Sequence, residues 1–551
     1  MKDHLFFVVV DVDKIQEFIF EASRLKHIVG GSILIANLTS KEFCTEMEIL
    51  DKSEETSDIT ELGGNNWMEI YFGGGNMKLL FAEKDPAEKF LRKYQLQFAK
   101  IVETATFSSI IYKIDTSDAM KLEKGFEEAE IKLKRLKRGK EKTLSNYANP
   151  IFEICPFCKK RNAENNYILR DPNKDKKEKA CRECHKKEKT HDGLFKKADF
   201  QNTLLGDFIS HFNQEDDKFM DEFNDLKEAE VSFLGIVTID GNRFGDKIIK
   251  FVQRKIENKL TGNKVKEYVQ NFNKISNQIK KVTVNSMAET LNDFKVKIIG
   301  GPQRKILFKP IIMGGDDICF VMDGKYVMPF TVKLIEALEK GMEKVLENEF
   351  TNESKKEDWK NDIEFKFAAG VSIAKPNFPF FVAHQLSESL TQNVKKGDRE
   401  YSGIDFEVVF TSSVENLEQM RNNKYRYKNK IDGQTYVTTL KPYYLGYFKD
   451  NSKDKSRDFD TTLSIAKGLK NRELMARNKV KQMRVLVRKG KIESQYEFNR
   501  MIARMSKKDR DAIWTRLLRI YPKREELWIE IDDRLHNNFI DLSELSEFYT
   551  D

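Results

Sequence analysis

The sequence predicts an α+β protein: two ferredoxin-like βαββαβ units, a zinc ribbon inserted between them, and a helical carboxyl-terminal part. Three observations predict it. The same order of elements occurs in residues 1–140 and 230–412, two CxxC pairs fall within 141–229, and helically spaced apolar stripes fill 413–551. A chain of 551 residues is long enough for several cores. With 33% charged and 40% hydrophobic residues and a net charge of +8, it reads as a soluble protein whose lysines mostly solvate helix faces. No run approaches the ~18 apolar residues that cross a bilayer, and the amino end lacks a signal-peptide design. A cytoplasmic protein without membrane contact is expected.

The first unit opens on a strand, Leu5–Val10, which runs into Asp11-Val-Asp13. Ile15, Phe18, Ile19 and Ala22 then take helical spacing, which puts the aspartates at a strand-to-helix junction. Trp67–Phe72 and Met77–Phe81 flank Gly73-Gly-Gly-Asn76 as a hairpin. A helix carrying Phe90, Leu91, Tyr94 and Phe98 follows, then a strand near Phe107–Ile114. The unit ends in a charged helix reaching Lys132-Leu-Lys-Arg-Leu-Lys-Arg138, read as a solvated linker or a nucleic-acid contact.

Cys155-Pro-Phe-Cys158 and Cys181-Arg-Glu-Cys184 are separated by 22 residues. Each pair offers two thiolates to one tetrahedral ion, the spacing of a structural Zn²⁺ site. His185, beside the last cysteine, could replace one ligand. The Lys- and Asn-rich stretch between the pairs cannot bury a core, so the ion is expected to fold it. Cys44 and Cys319 stand alone as small apolar residues.

In the second unit, Phe233–Ile239 is a strand ending in Asp240-Gly-Asn242, and a long polar helix covers about Lys264–Leu291. The segment Ile306–Met322 is a hairpin with Gly314-Gly-Asp-Asp317 at its tip, where both glycines permit positive φ. A helix with Ile335, Leu338, Met342 and Val345 on one face, a strand at Phe365–Ala374, a helix at Phe380–Val394 and a closing strand at Ile404–Phe410 follow. Overlaid on the first unit, Asp240 matches Asp11, Asn242 matches Asp13, and Gly314-Gly-Asp-Asp317 matches Gly73-Gly-Gly-Asn76. A βαββαβ sheet puts its first strand at the centre beside the hairpin, so Asp240 reaches Asp316 and Asp317. Three hard carboxylates suit two Mg²⁺ (or Mn²⁺) ions ~3.5–4 Å apart, which bind a triphosphate and activate an attacking hydroxyl. Lys395 and Lys396, at the end of the Phe380 helix, either grip that triphosphate or face solvent.

In the tail, Lys424-Tyr-Arg-Tyr-Lys428 interleaves cations and aromatics, as a base-stacking segment or one exposed strand would. Met483, Leu486 and Val487, then Phe498, Ile502 and Met505, then Ile513, Trp514, Leu517 and Leu518 are stripes of a helical bundle. The acids Asp532, Asp533, Asp541, Glu544 and Glu547 near the end are expected to face a basic partner.

A strand ending in Asp before Ile15-Gln-Glu-Phe-Ile-Phe20, then Gly30-Gly-Ser32, a CxxC…CxxC ribbon and a GGDD hairpin resembles the large polymerase/cyclase subunit of type III CRISPR effector complexes. Gly370–Ala374 and Ser402–Phe406 are similar to later landmarks of its palm, and Lys441-Pro-Tyr443 is similar to the Cmr-type branch. The resemblance implies two palms, the second making signalling nucleotides from ATP on target RNA binding. It implies Asp240, Asp316 and Asp317 as Mg²⁺ ligands, and Gly314, Gly315, Asn242, Lys395, Lys396 and Ser32 as nucleotide contacts. It implies other type III subunits, guide RNA and target RNA as partners. The product is cyclic oligoadenylate or AMP joined to S-adenosylmethionine. Many relatives begin with an HD nuclease domain, whereas this chain begins at the palm strand and His191-Asp192 is expected in a Lys-rich loop, so no DNA cleavage is expected. Other readings are a stand-alone GGDEF-like nucleotide cyclase, which needs neither ribbon nor tail, and a non-catalytic ribonucleoprotein scaffold, which would not need the Asp316-Asp317 pair.

Overall fold

The computed structural model describes residues 3–139, 151–171, 176–197, 199, 202–213, 216–257, 263–350, 362–410, 416–429, 432–450, 452–521, 523–524 and 526–549. The expected unit boundaries at 140/141 and 412/413 lie outside the described residues.

In the first palm, β1 (His4–Asp13), β2 (Trp67–Gly73), β3 (Asn76–Phe81) and β4 (Thr106–Asp115) form one sheet in the order β2-β3-β1-β4. β1 is antiparallel to both neighbours, as two interleaved βαβ crossovers require. Val8, Val9 and Val10 are fully buried, so the central strand is covered on both faces and its apolar run needs no alternation. Gly74 and Gly75 form the two-residue hairpin turn with φ of +60° and +83°, which glycine adopts without strain.

The ribbon corrects two expectations. The stretch between the cysteine pairs forms a hairpin, β5 (Glu164–Asp171) with β6 (Lys176–Ala180), and buries Leu169 and Ala180 with Phe157 and the four cysteines as a small core. His191 is not in a loop: it sits in the helix Arg182–Lys197, fully buried under Phe195. That helix packs so closely on the first palm's helix Leu25–Leu38 that a Cβ on Gly30 would stand 1.8 Å from the Lys187 carbonyl oxygen. The buried Lys187 ammonium donates to the Phe18 carbonyl (2.5 Å) and Glu21 (2.7 Å), and Arg161 reaches Glu21 with two bonds of 2.8 and 2.9 Å. Gly30 and Gly31 therefore serve helix packing.

The second palm has β7 (Leu234–Gly241), a small ribbon of β8 (Ile299–Gly300) and β9 (Lys305–Ile306), then β10 (Phe308–Met313), β11 (Ile318–Asp323), β12 (Phe367–Ala374) and β13 (Gly403–Val409). Its sheet order is β10-β11-β7-β12-β13, closed by the short strand Tyr443–Tyr444. The first four repeat the first palm's order, and the helix Phe380–Lys396 is a crossover that adds β13 parallel to β12. Gly370 faces this helix: a Cβ there would meet the Ser387 carbonyl oxygen at 2.0 Å.

The tail is not only helical. Arg426–Lys428, Thr435–Val437, Arg534–His536 and Ile529–Ile531 form a four-stranded sheet beside the helices. The expected stripes are core, except that Met505 is only partly buried and Leu518 is 43% exposed. The expected acidic face is corrected for two of its five acids, while Asp532, Asp533 and Glu547 stay exposed, and of the two readings of 424–428 the strand holds, since Arg426–Lys428 is a strand with Arg426 and Lys428 exposed. Asp541 and Glu544 are buried, with the Lys441 ammonium 3.5 Å from Asp541 and 3.1 Å from Glu544. Lys424 pairs with Glu407 (2.9 Å) and Glu544 (3.0 Å), while the Tyr425 hydroxyl donates to Glu407 (2.8 Å). The partners of these acids lie within the chain, because burying charges demands pairing. Lys441-Pro-Tyr443 thus fastens the tail to β13.

Candidate active site and metal centre

The site is assembled at one end of β7. Ile239 of β7 pairs with Ile318 of β11, so Asp240 and Asp317 continue the same register beyond the last paired residues. Met313 pairs with Ile318, leaving Gly314 to Asp317 as a four-residue tip. Only Gly315 takes positive φ (+92°); the Gly314 N–H donates to the Asp317 carbonyl oxygen at 2.8 Å. The expected positive φ at both glycines therefore holds for one. Thr283, on the helix Lys264–Phe294, donates to the Gly315 carbonyl oxygen and clamps the tip from the side.

The three aspartates act on one another as like charges. Desolvation in the atom-dense cleft, followed by repulsion from Asp240, pushes the Asp316 carboxyl up to about 6. The same two causes, with Asp316 and Glu388 adding repulsion, push Asp317 up to about 7. Asp317 keeps its solvent contact, so water screens part of this. Lys395 pairs with the Asp240 carboxylate and donates to the Gly241 carbonyl oxygen at 2.9 Å. Among the described residues, the ligand atoms of these aspartates do not converge within 4.8 Å as those of the four cysteines do. Asp240 is instead turned to an ammonium.

The donor chemistry still fits a hard divalent cation: Asp316 and Asp317, with raised proton affinity, concentrate negative charge that Lys395 offsets only in part. Asp240, Asp316 and Asp317 are the residues that would hold Mg²⁺ or Mn²⁺. The Sγ atoms of Cys155, Cys158, Cys181 and Cys184 all lie within 4.8 Å of one another, and all four residues are buried, which fits a tetrahedral soft ion such as Zn²⁺. Arg161 Nε donates to the Cys181 Sγ at 3.3 Å, while His185 lies outside the cluster against the Tyr167 ring.

The remaining expected contacts separate. Asn242 is buried, and its amide donates to the carbonyl oxygens of Arg399 (3.3 Å) and Tyr401 (3.2 Å), so it ties the loop after the Phe380 helix. Its Oδ1 has no hydrogen-bond partner among the described residues. Lys396 is exposed and lines a different groove with Gln392 and Arg421. Ser32 is half-buried within the helix Leu25–Leu38.

Sequence reasoning missed Glu388. It lies on the Phe380–Lys396 helix, its carboxyl is pushed up to about 7 by burial, and it accepts from Gln16 of the first palm. The available signal was spacing, since Glu388 and Lys395 are seven residues apart on one helix face. The two hairpin tips also meet: a Cβ on Gly74 would lie 3.7 Å from the Gly314 carbonyl oxygen. Lys280, from the same helix as Thr283, donates to the Phe72 carbonyl oxygen at 2.5 Å, so one helix holds both tips.

Residues 233–402 match the model of the second palm domain of Cas10/Cmr2. No curated protein matches the chain. Among solved structures, the chain is similar to a Csm1–Csm4 cassette in complex with cA4 (12% identity, TM-score 0.41, covering 79% of this chain and 56% of that one). It is also similar to Csm1 of T. onnurineus (13%, TM-score 0.39, 87% and 62%) and to a type III-B Cmr-beta apo state (11%, TM-score 0.40, 73% and 70%). The chain thus spans 56% of the length of the first and 62% of the second. No described helix is long and apolar enough to cross a membrane. With β7, the GGDD hairpin and β12 inside the matched span, the chain carries a palm domain of the Cas10/Cmr2 family.

Proposed function

We propose that this chain is a nucleotidyltransferase subunit of a type III CRISPR effector, forming a signalling nucleotide from ATP at the second palm. The observation that supports the reading is the register of β7 and β11, which sets Asp240 opposite Asp317 and next to Asp316, within the residues matching the Cas10/Cmr2 palm. Asp240, Asp316 and Asp317 would hold Mg²⁺ or Mn²⁺, which would supply neutralisation of triphosphate charge and activation of a ribose hydroxyl. The protein's own part is positioning. The Gly315 turn and Thr283 fix the direction of Asp316 and Asp317, and Lys395 keeps a cation at Asp240 beside the triphosphate's place. Zn²⁺ at the four cysteines would brace the ribbon against the first palm. The four-part division at 140/141, 229/230 and 412/413 belongs to the same proposal, as do neighbouring type III subunits, guide RNA and target RNA as partners.

The test is incubation of the assembled complex with labelled ATP, Mg²⁺ and target RNA, with and without S-adenosylmethionine, followed by mass analysis. Pyrophosphate and an adenylate product are expected, and the product's mass distinguishes cyclic oligoadenylate from an S-adenosylmethionine conjugate. An unchanged yield from Asp316→Ala/Asp317→Ala would contradict the assignment.

A further inference from the structure

A cavity of about 600 Å³ lies between the second palm and the tail, at the ends of β7 and β11 remote from the aspartates. The register fixes that separation: Ile239 pairs with Ile318 at the site end, and Leu234 pairs with Asp323 at the cavity end. The tail closes it through Phe548, whose ring meets Phe233 at 5.0 Å.

Its lining is rich in exposed cations, of which Lys325 lies near Asp323. Lys325, Arg472, Arg477 and Lys481 all line it. Elsewhere in the chain, cations such as Lys424 and Arg516 have carboxylates at 2.9–3.0 Å, but Arg472, Arg477 and Lys481 have no ion-pair partner among the described residues. Three acids, Glu230, Asp323 and Glu547, share the lining without pairing with them.

Local backbone geometry points the same way. Arg472 follows the helix Phe459–Lys470 at φ +61°, a position that usually takes glycine. Arg477 opens the helix Arg477–Leu486, whose cap gives no side-chain hydrogen bond and whose first turn has no acid. Cations at the positive end of a helix dipole repel it, unless an anion lies between them. The fourth observation is Ser543. It is 2% exposed and lines the cavity.

We infer that this cavity binds the phosphate groups of a nucleotide, either a free nucleoside triphosphate or the 5′-phosphorylated end of an RNA strand. Arg472, Arg477 and Lys481 supply the charge, and Ser543 and the free N–H groups of the helix start supply neutral donors. The size suits one or two nucleotides and not a duplex. Because Asp323 of β11 and Phe233 just before β7 line the cavity, its occupant would meet the far ends of the strands that lead to the aspartates.

The test uses the full chain with Asp316→Asn/Asp317→Asn, so that binding at the aspartates does not interfere. Tripolyphosphate, ATP, and a 10-nucleotide RNA with a 5′-triphosphate or a 5′-hydroxyl are titrated by calorimetry. Arg477→Glu/Lys481→Glu is expected to weaken tripolyphosphate at least about tenfold, with an unchanged circular dichroism spectrum. Equal loss for ATP assigns the free nucleotide; loss confined to the 5′-triphosphate RNA assigns the RNA end. Unchanged affinity for all probes, or binding of none, overturns the inference. Should the reversed variant not fold, acetylation footprinting of the unreversed chain decides: tripolyphosphate must protect Lys325 and Lys481, and equal labelling with and without it contradicts the site.

Discussion

The two palms of this chain are the same frame with different chemistry at the same place. In each, the first strand ends in an aspartate beside a hairpin tip: Asp11 pairs across to Asn76, where the second palm aligns Asp240 with Asp317. In each, a lysine from the helix that follows the fourth strand, Ala119–Gly139 in the first palm and Phe380–Lys396 in the second, reaches back. Lys137 meets Asp11 at 2.5 Å and the Val12 carbonyl oxygen at 3.3 Å; Lys395 meets Asp240 and the Gly241 carbonyl oxygen. The differences lie at the tip and two residues beyond the strand's aspartate, where Asp13 stands in the first palm and Asn242 in the second. Gly75 and Asn76 stand where the second palm has Asp316 and Asp317, and Asp13 is occupied by hydroxyls from Ser108 (2.8 Å) and Thr106 (3.1 Å). The shared lysine–aspartate pair is therefore a property of the frame, and the paired tip carboxylates are what the proposed cation site rests on.

The sharpest way to break this comparison is to remove each set of acids. Asp316→Ala/Asp317→Ala is expected to lower pyrophosphate release on the order of a thousandfold, while Asp11→Ala leaves it within about threefold; equal losses would show that the tips are not the difference. The lysines come next. Lys395→Met should lower turnover roughly ten- to a hundredfold through weaker triphosphate positioning, and Lys137→Met should leave turnover near its starting value, both read in steady-state kinetics.

A third effect is in pH. Asp316 and Asp317 have folded-state values raised to about 6 and about 7 above the ordinary carboxyl, so protons compete with a cation for them. Mn²⁺ affinity should therefore rise with pH between 5 and 7.5, by up to about tenfold per unit, and calorimetry in matched buffers reads it. The sign for stability is opposite. Raised carboxyls contribute stability that is present below the unfolded value near 4 and lost as pH rises through 6 to 7, so the metal-free protein should melt lower at pH 7.5 than at 5 in this region. Asp316→Asn/Asp317→Asn should flatten that slope. The smallest effect is at the first tip. Gly75 has φ +83° and a Cβ there would stand 2.3 Å from Ile15 Cδ1, so Gly75→Asp should cost about 1–3 kcal/mol and lower the melting temperature without creating a cation site.

Much of this frame was legible because strand and helix periods differ and because the order of elements repeats. The hairpins, the central strands, the four cysteines and the alignment of Asp11 with Asp240 all follow from local pattern. What was not legible depends on burial by distant segments. Lys424, Tyr425, Asp541 and Glu544 look like surface charge until β13 brings Glu407 among them. His191 reads as part of a Lys-rich surface until its helix is packed on the first palm. Lys395 and Lys396 are indistinguishable neighbours in sequence, but the helix turns one to Asp240 and the other to an open groove. Glu388 was hidden because its partner Gln16 is 372 residues away.

The central claim is that the tip of one palm, and not the frame common to both, makes the cation site. Electron paramagnetic resonance titration of Mn²⁺ into the zinc-loaded full chain tests it most directly. Binding should be lost in Asp316→Asn/Asp317→Asn and retained in Asp11→Asn/Asp13→Asn. Retention in the first variant, or equal loss in the second, would contradict the account.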